Sequence, residues 1–243
     1  MSLADRTVVI TGGGTGIGAG IARALAAEGC RLMLLGRREG PLNETRAACA
    51  ADDRIDVRTL DVGDRAAVAT VFRDLGARWG RLDILVHAAG VNIRTRSMET
   101  MTPEQWDEVL RINATGGYNV MYHALPLMRP HRSGLIVNIS SISGKRALTL
   151  GGVAYCASKF ALSALGTTVG NEESKHGIRV TSIYPGEVNT PILDQRPVPV
   201  PDERKVQMVQ PDDIGAMVAA IAKLPGTAHV PELIIKPLYQ EYV

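Results

Sequence analysis

At 243 residues and 45% hydrophobic content, the chain can bury a substantial core, enough for one large α/β domain or at most two small ones. A formal net charge of +2, dispersed Lys and Arg, and only 4% aromatic residues argue against a nucleic-acid surface, which needs clustered cations and stacking rings. Cys30, Cys49 and Cys156 form no CxxC pair and are odd in number, no secretion signal opens the chain, and no window approaches a membrane span, so a reducing cytoplasm is the expected location.

Short β-branched or Leu-rich runs at 7–11, 31–36, 56–61, 83–88, 134–140, 178–184 and 232–236 read as strands, and most are apolar throughout, as expected for strands covered on both faces. Between them, stretches at 16–29, 39–51, 64–79, 103–129, 154–176 and 211–223 are long enough for helices, with Pro103 and Pro211 at first-turn positions. Strand and helix alternating in this way predict a single doubly wound domain, a parallel sheet with right-handed crossovers and helices on both faces. The proline-rich RPVPVPDE at 196–203 reads as a stiff loop within that domain.

The first strand runs into TGGGTGIG and then an amphipathic helix. A helix N-terminus offers unpaired amides and a positive dipole end, and glycines let backbone approach a pyrophosphate, which makes Gly12, Gly14, Thr15, Gly16, Ile17 and Gly18 candidate cofactor residues. The spacing is not that of the usual dinucleotide fingerprint, and no lysine follows to make a P-loop. The alternative is a turn used only for tight packing. The second strand ends in LLGRRE, with Gly36, Arg37 and Arg38 where a ribose-binding acid would stand. A carboxylate there would repel a 2′-phosphate and a guanidinium would bind it, so the reading is NADP over NAD, against two arginines merely facing solvent. Asp61, ending the third strand, and Val62 are expected near the adenine.

GLIVNISSISG puts Ser140, Ser141 and Ser143 at the carboxyl end of a central strand, where active sites of open α/β sheets lie and where a hydroxyl could hold a carbonyl oxygen. AYCASK places Tyr155 one helical turn before Lys159. A tyrosine near pKa ~10 must gain about 3–4 kcal/mol of phenolate stabilisation to titrate 2–3 units lower, more than the ~1 kcal/mol of an exposed ion pair. Lys159 could supply it if partly desolvated.

TGGGTGIG, HAAG (87–90), RINATGG, NISSISG, YCASK and YPGEVNTP (184–191) resemble, in order and spacing, the short-chain dehydrogenase/reductase family over nearly the whole chain. The resemblance implies a seven-stranded Rossmann-type fold and hydride transfer between NAD(P) and an alcohol/carbonyl pair. It implies Tyr155 as general acid/base, Lys159 as the residue lowering its pKa and holding the nicotinamide ribose, Ser141 as the carbonyl-polarising residue and Asn113 in a proton relay. Ala89 and Gly90 would line the ribose region, and Pro185, Gly186, Val188 and Thr190 would contact the nicotinamide. Two departures stand out. His87 replaces the usual asparagine, with a strand-tying role expected, and Ser141 precedes Tyr155 by fourteen residues, commonly one fewer, which leaves Ser143 as a rival.

The segment 192–210 would form a short lid stiffened by Pro197, Pro199 and Pro201, suited to a small substrate. Arg94, Arg96, Arg146 and Arg196 fall on bordering loops, so a substrate carboxylate, as in a 3-hydroxy acid, is one candidate; the PLYQEYV tail resembles some hydroxy-acid-oxidising members. Small residues in the 103–129 and 154–170 helices, among them Ala114, Gly116, Ala161 and Gly166, suit close packing, and the family resemblance implies a homodimer or homotetramer. A non-catalytic dinucleotide-binding regulator, and the same enzyme class using NAD, are the competing readings.

Overall fold

The computed structural model describes residues 1–49 and 52–241. The expected helix end at 50–51 and the last residues of the tail, Tyr242 and Val243, lie outside the described residues. Seven parallel strands form one sheet: β1 (Thr7–Thr11), β2 (Arg31–Gly36), β3 (Ile55–Thr59), β4 (Ile84–His87), β5 (Gly134–Ile139), β6 (Ile178–Pro185) and β7 (Glu232–Ile235), in the order β3-β2-β1-β4-β5-β6-β7. The helices among the described residues are α1 (Gly16–Ala27), α2 (Glu39–Ala47), α3 (Arg65–Trp79), α4 (Pro103–Leu110), α5 (Gly116–Met128), α6 (Val153–Glu173), the short α7 (Asp202–Lys205) and α8 (Pro211–Ala222).

Alternate strand residues feed two cores. Val8, Ile10, Leu32 and Leu34 pack with Ile21 and Leu25 of α1, Leu42 of α2 and Ile214 and Val218 of α8. Val9, Met33 and Leu35 turn to the other face, against Val68 and Phe72 of α3, Val120 and Met121 of α5 and Leu162 of α6. The period of two explains why these strands read as unbroken apolar runs: each face has its own cover.

Pro103 and Pro211 do open α4 and α8, each behind a capping box; at α4 the Gln105 amide donates to Thr102 Oγ1 and the Thr102 amide to Gln105 Oε1. The single helix expected over 103–129 is instead α4, a π-helical turn at Arg111–Thr115, and α5. The turn lets Asn113 reach inward while Gly116 and Gly117 bring the chain close to its neighbours: a Cβ at 116 would lie 2.5 Å from Val62 and one at 117 2.7 Å from Leu162. The third strand ends at Thr59, two residues before Asp61, and β5 ends at Ile139, just before the serines.

Strand order reverses between β1 and β4, so the crevice between their carboxyl ends is the place where a doubly wound sheet binds ligands. A row of buried polar residues crosses the sheet just below it: Thr11, His87, Asn138 and Ser182 are neighbours in the strand register. His87 Nδ1 bonds Thr11 Oγ1 at 2.9 Å, tying β4 to β1 as expected, and burial pushes the imidazole down to about 3, so it is neutral.

Candidate active site

A cleft of about 600 Å³ opens above this switch point, with an adjoining recess of about 140 Å³. The glycine loop forms its floor. Gly12 (φ +67°) turns the chain out of β1 so closely under β4 that a Cβ would meet the Ala88 carbonyl at 2.8 Å. Thr15 occupies the N-cap of α1 without using its side chain there, and no acid stands in the first turn, which leaves the positive end of the helix open to an anion. Thr15, Gly16 and Ile17 line the cleft and Gly14 the recess. Gly18, expected to bind cofactor, lines neither. A Cβ there would strike the Gly12 carbonyl oxygen at 2.2 Å, so its task is to let α1 pack on the loop.

Arg37, Arg38, Asp61 and Val62 gather around the recess. Arg37 is half-exposed and 3.8 Å from Glu108. Asp61 is already neutralised: Arg111 donates to its carboxylate at 2.9 Å and the Gly63 amide at 2.8 Å. Burial works against its charge, but these bonds hold the carboxyl below the usual range. The recess is therefore net basic, which fits a phosphate better than a ribose diol. Arg111 carried no sequence signal for this role, because the π turn brings it there.

Across the cleft, Ser141, Tyr155 and Lys159 share one wall. Tyr155 and Lys159 sit in the first two turns of α6, and Ser141 caps the turn after β5, where its Oγ accepts from the Ser143 amide at 3.1 Å. Burial raises the Tyr155 phenol above its ordinary value; a hydrogen bond to Ser141 and the Arg96 cation pull the other way. That selects Ser141 over Ser143 as the partner of the phenol. Lys159, expected to lower the phenol's pKa, is not among these causes. The Lys159 Nζ lies 5.6 Å from the ring centre and donates to the Ile139 carbonyl at 2.8 Å. It is 4% exposed, and burial lowers its own pKa to about 8.

Asn113 is fully buried and does not open on the cleft. Its Oδ1 accepts from the Val91 amide at 2.8 Å and its Nδ2 donates to the Val91 carbonyl and to Ser158 Oγ, which locks the loop after β4 to α6. Ala89, Gly90, Pro185, Gly186, Val188 and Thr190 all line the cleft. A Cβ at Gly90 would stand 3.3 Å from Lys159 Nζ and 3.5 Å from Asn113 Oδ1, so the missing side chain keeps the ammonium accessible from the cleft.

The segment 192–210 folds over one side and returns to its root, where Val188 pairs with Val209. Glu187 anchors it: the buried carboxylate takes Arg196 at 2.8 Å, Arg204 at 2.9 Å and the Tyr239 hydroxyl at 2.6 Å. Of the four arginines expected at this border, only Arg96 and Arg196 reach the cleft. Arg94 donates to the Asp194 carbonyl and Arg146 to the Lys145 carbonyl. Glu187, Gln195 and Gln240 line the cleft without having been expected there.

Fold and cleft define a dinucleotide-binding α/β protein. A family model described as short chain dehydrogenase matches residues 6–198. An uncharacterized oxidoreductase of Staphylococcus saprophyticus is 32% identical, over 98% of this chain and 100% of its own. An alcohol dehydrogenase from the archaeon Thermococcus sibiricus, complexed with 5-hydroxy-NADP, superposes with a TM-score of 0.87 at 27% identity, covering 98% of this chain and 99% of that one. A metagenomic short-chain oxidoreductase in complex with NADP gives 0.84 at 30% identity, covering 99% and 100%. The chain belongs to the short-chain dehydrogenase family and is an oxidoreductase of that family.

Among the described residues no helix is long and apolar enough to cross a membrane, and no group of His, Cys, Asp or Glu could hold a metal ion.

Proposed function

We propose that the protein interconverts a small secondary alcohol and its carbonyl, using NADP(H), with Tyr155 as the proton donor and acceptor. The observation that carries this reading is the Ser141–Tyr155 pair facing the same cleft as Lys159, at the carboxyl end of the central strands. The residues present fit the cofactor. The uncapped first turn of α1 suits a pyrophosphate, Arg37 and Arg38 suit a 2′-phosphate, and the space left by Gly90 opens Lys159 to a ribose. The relatives crystallised with NADP support the same preference.

When bound, NADPH supplies the hydride for the carbonyl carbon. Ser141 donates a hydrogen bond to the carbonyl oxygen and so favours charge developing there. Tyr155 gives that oxygen its proton, which an un-ionised phenol carries at neutral pH. The phenolate left behind is stabilised by the neighbouring Arg96 and Lys159 cations. Asn113 acts by holding the β4 loop and α6 in register.

The substrate is small and neutral in this reading. Arg196 is spent on Glu187 and Arg96 on backbone carbonyls, which removes the support that the loop arginines lent to a 3-hydroxy acid. Pairing of subunits through α5 and α6 is supported by the exposed Tyr118, Tyr122 and Phe160 on their outer faces. The test is NADPH oxidation, followed by absorbance, across a panel of small ketones and 3-oxo acids. Turnover of a neutral ketone, at least about tenfold better with NADPH than NADH, is expected from a charge-assisted phosphate contact. No turnover with either cofactor would leave the non-catalytic reading standing.

A further inference from the structure

A single buried guanidinium joins the three segments that wall the substrate side of the cleft. Arg96, in the loop after β4, is 9% exposed and has no carboxylate partner among the described residues. Its Nε donates to the Ile93 carbonyl at 2.9 Å, its Nη1 to the Leu150 carbonyl at 2.7 Å, and its Nη2 to the Gln195 carbonyl. Its own carbonyl accepts from the amide of Val153, the first residue of α6, at 3.2 Å. Gly152, at φ +83°, lies so close beneath it that a Cβ there would come 2.5 Å from Arg96 Cβ. Tyr155 follows three residues after Gly152.

The other wall grips the next residue of the same segment. Arg196, adjacent to Gln195, is held by Glu187 at 2.8 Å, and both residues line the cleft. The tip of the 192–210 segment is thus clamped from both sides, by a carbonyl bond to Arg96 and an ion pair to Glu187. Three carbonyls approaching from three segments need donors spread over a rigid plane; an ammonium, whose donors radiate from one atom, cannot span them in the same way.

We infer that Arg96 is a positioning residue of this site: it fixes the start of α6, and with it Tyr155, and closes the 192–210 segment over the substrate. The role in turnover rests on the oxidoreductase reading above, whereas the clamp itself does not. Removing the head group releases the segment at Gln195 and the 148–152 loop at Leu150, so substrate capture and proton transfer suffer.

The experiment compares the unaltered protein with Arg96→Met and Arg96→Lys by hydrogen exchange, NADPH titration and steady-state kinetics with a ketone found active. In Arg96→Met, amides of 190–210 should exchange at least about tenfold faster, with exchange in β1 and β2 unchanged. The value of kcat/KM should fall about 100-fold, through both kcat and ketone KM, as expected for misplacing a reacting group. NADPH affinity should stay within about twofold, and Arg96→Lys should fall between the two. Unchanged exchange in 190–210 would overturn the clamp, and faster exchange throughout with weakened NADPH binding would make Arg96 a general stability residue instead. If the unaltered protein turns over nothing, the oxidoreductase reading fails while the exchange data still decide the clamp.

Discussion

Replacing Lys159 by Met should stabilise the fold at neutral pH while removing a group the proposed reaction needs. The ammonium is 4% exposed, and burial brings its pKa from 10.5 to about 8. A gap of about 2.5 pH units, at ~1.4 kcal/mol per unit, amounts to a penalty of about 3 kcal/mol carried by the folded state. The Nζ bond to the Ile139 carbonyl offsets part of it, and losing that bond costs about 1–3 kcal/mol. The net gain of Lys159→Met at pH 7 is therefore small, about 0–2 kcal/mol. The pH dependence is the larger signal. Below about pH 8 the lysine is charged in both states and the whole penalty is present. Between about 8 and 10.5 the unfolded chain holds the proton that the folded chain has lost, so stability of the unaltered protein rises with pH relative to the variant. Above 10.5 both are neutral and the penalty is gone. Urea unfolding from pH 7 to 10.5 should show the two stabilities converging and crossing by about 3 kcal/mol in total. Parallel curves would refute the buried, proton-shedding lysine.

Arg37→Asp should shift cofactor preference toward NAD by about 10–100-fold, measured as the ratio of Kd values for NADPH and NADH, since it replaces a phosphate ligand by a repelling charge. Ser141→Ala should lower kcat about 100-fold, as loss of one donor to the developing oxyanion does, whereas Ser143→Ala should stay within about threefold; the reverse order would reassign the partner of the phenol. His87 titrates near 3 in the folded state against 6.5 ordinarily, so it removes stability as pH falls from about 6.5 toward 3. His87→Asn should flatten that acid limb in unfolding curves, with activity retained.

Burial on both faces made the central strands legible: β1 and β2 fall where the apolar runs place them, because every apolar residue of such a run faces one core or the other. The cofactor wall was legible for a similar reason, since glycines and a strand–turn–helix order are local signals. The packing of Gly18 on Gly12 left no mark, because a glycine needed for packing looks the same in sequence as one needed for a phosphate. The break in the 103–129 helix had no local cause at Arg111–Thr115; it comes from Asn113 reaching Val91, a contact between distant segments. The clamping contacts of Arg96, and the whole part played by Glu187, were beyond reach in another way. A loop arginine reads as solvated, and the partners that bury Arg96 are backbone carbonyls, which leave no mark in residue identity. Acidity escaped too: spacing put Lys159 on the face of Tyr155 but could not show its donor turned to Ile139.

Tyr155→Phe tests the central claim most directly, because it removes one hydroxyl and leaves the ring that fills the wall. With a ketone that the unaltered protein reduces, NADPH turnover should drop by about 10²–10⁴-fold while the NADPH dissociation constant, read by fluorescence, stays nearly the same. A variant that still reduces the ketone at close to the original rate would mean that another group moves the proton, and the chemistry assigned to this cleft would be wrong.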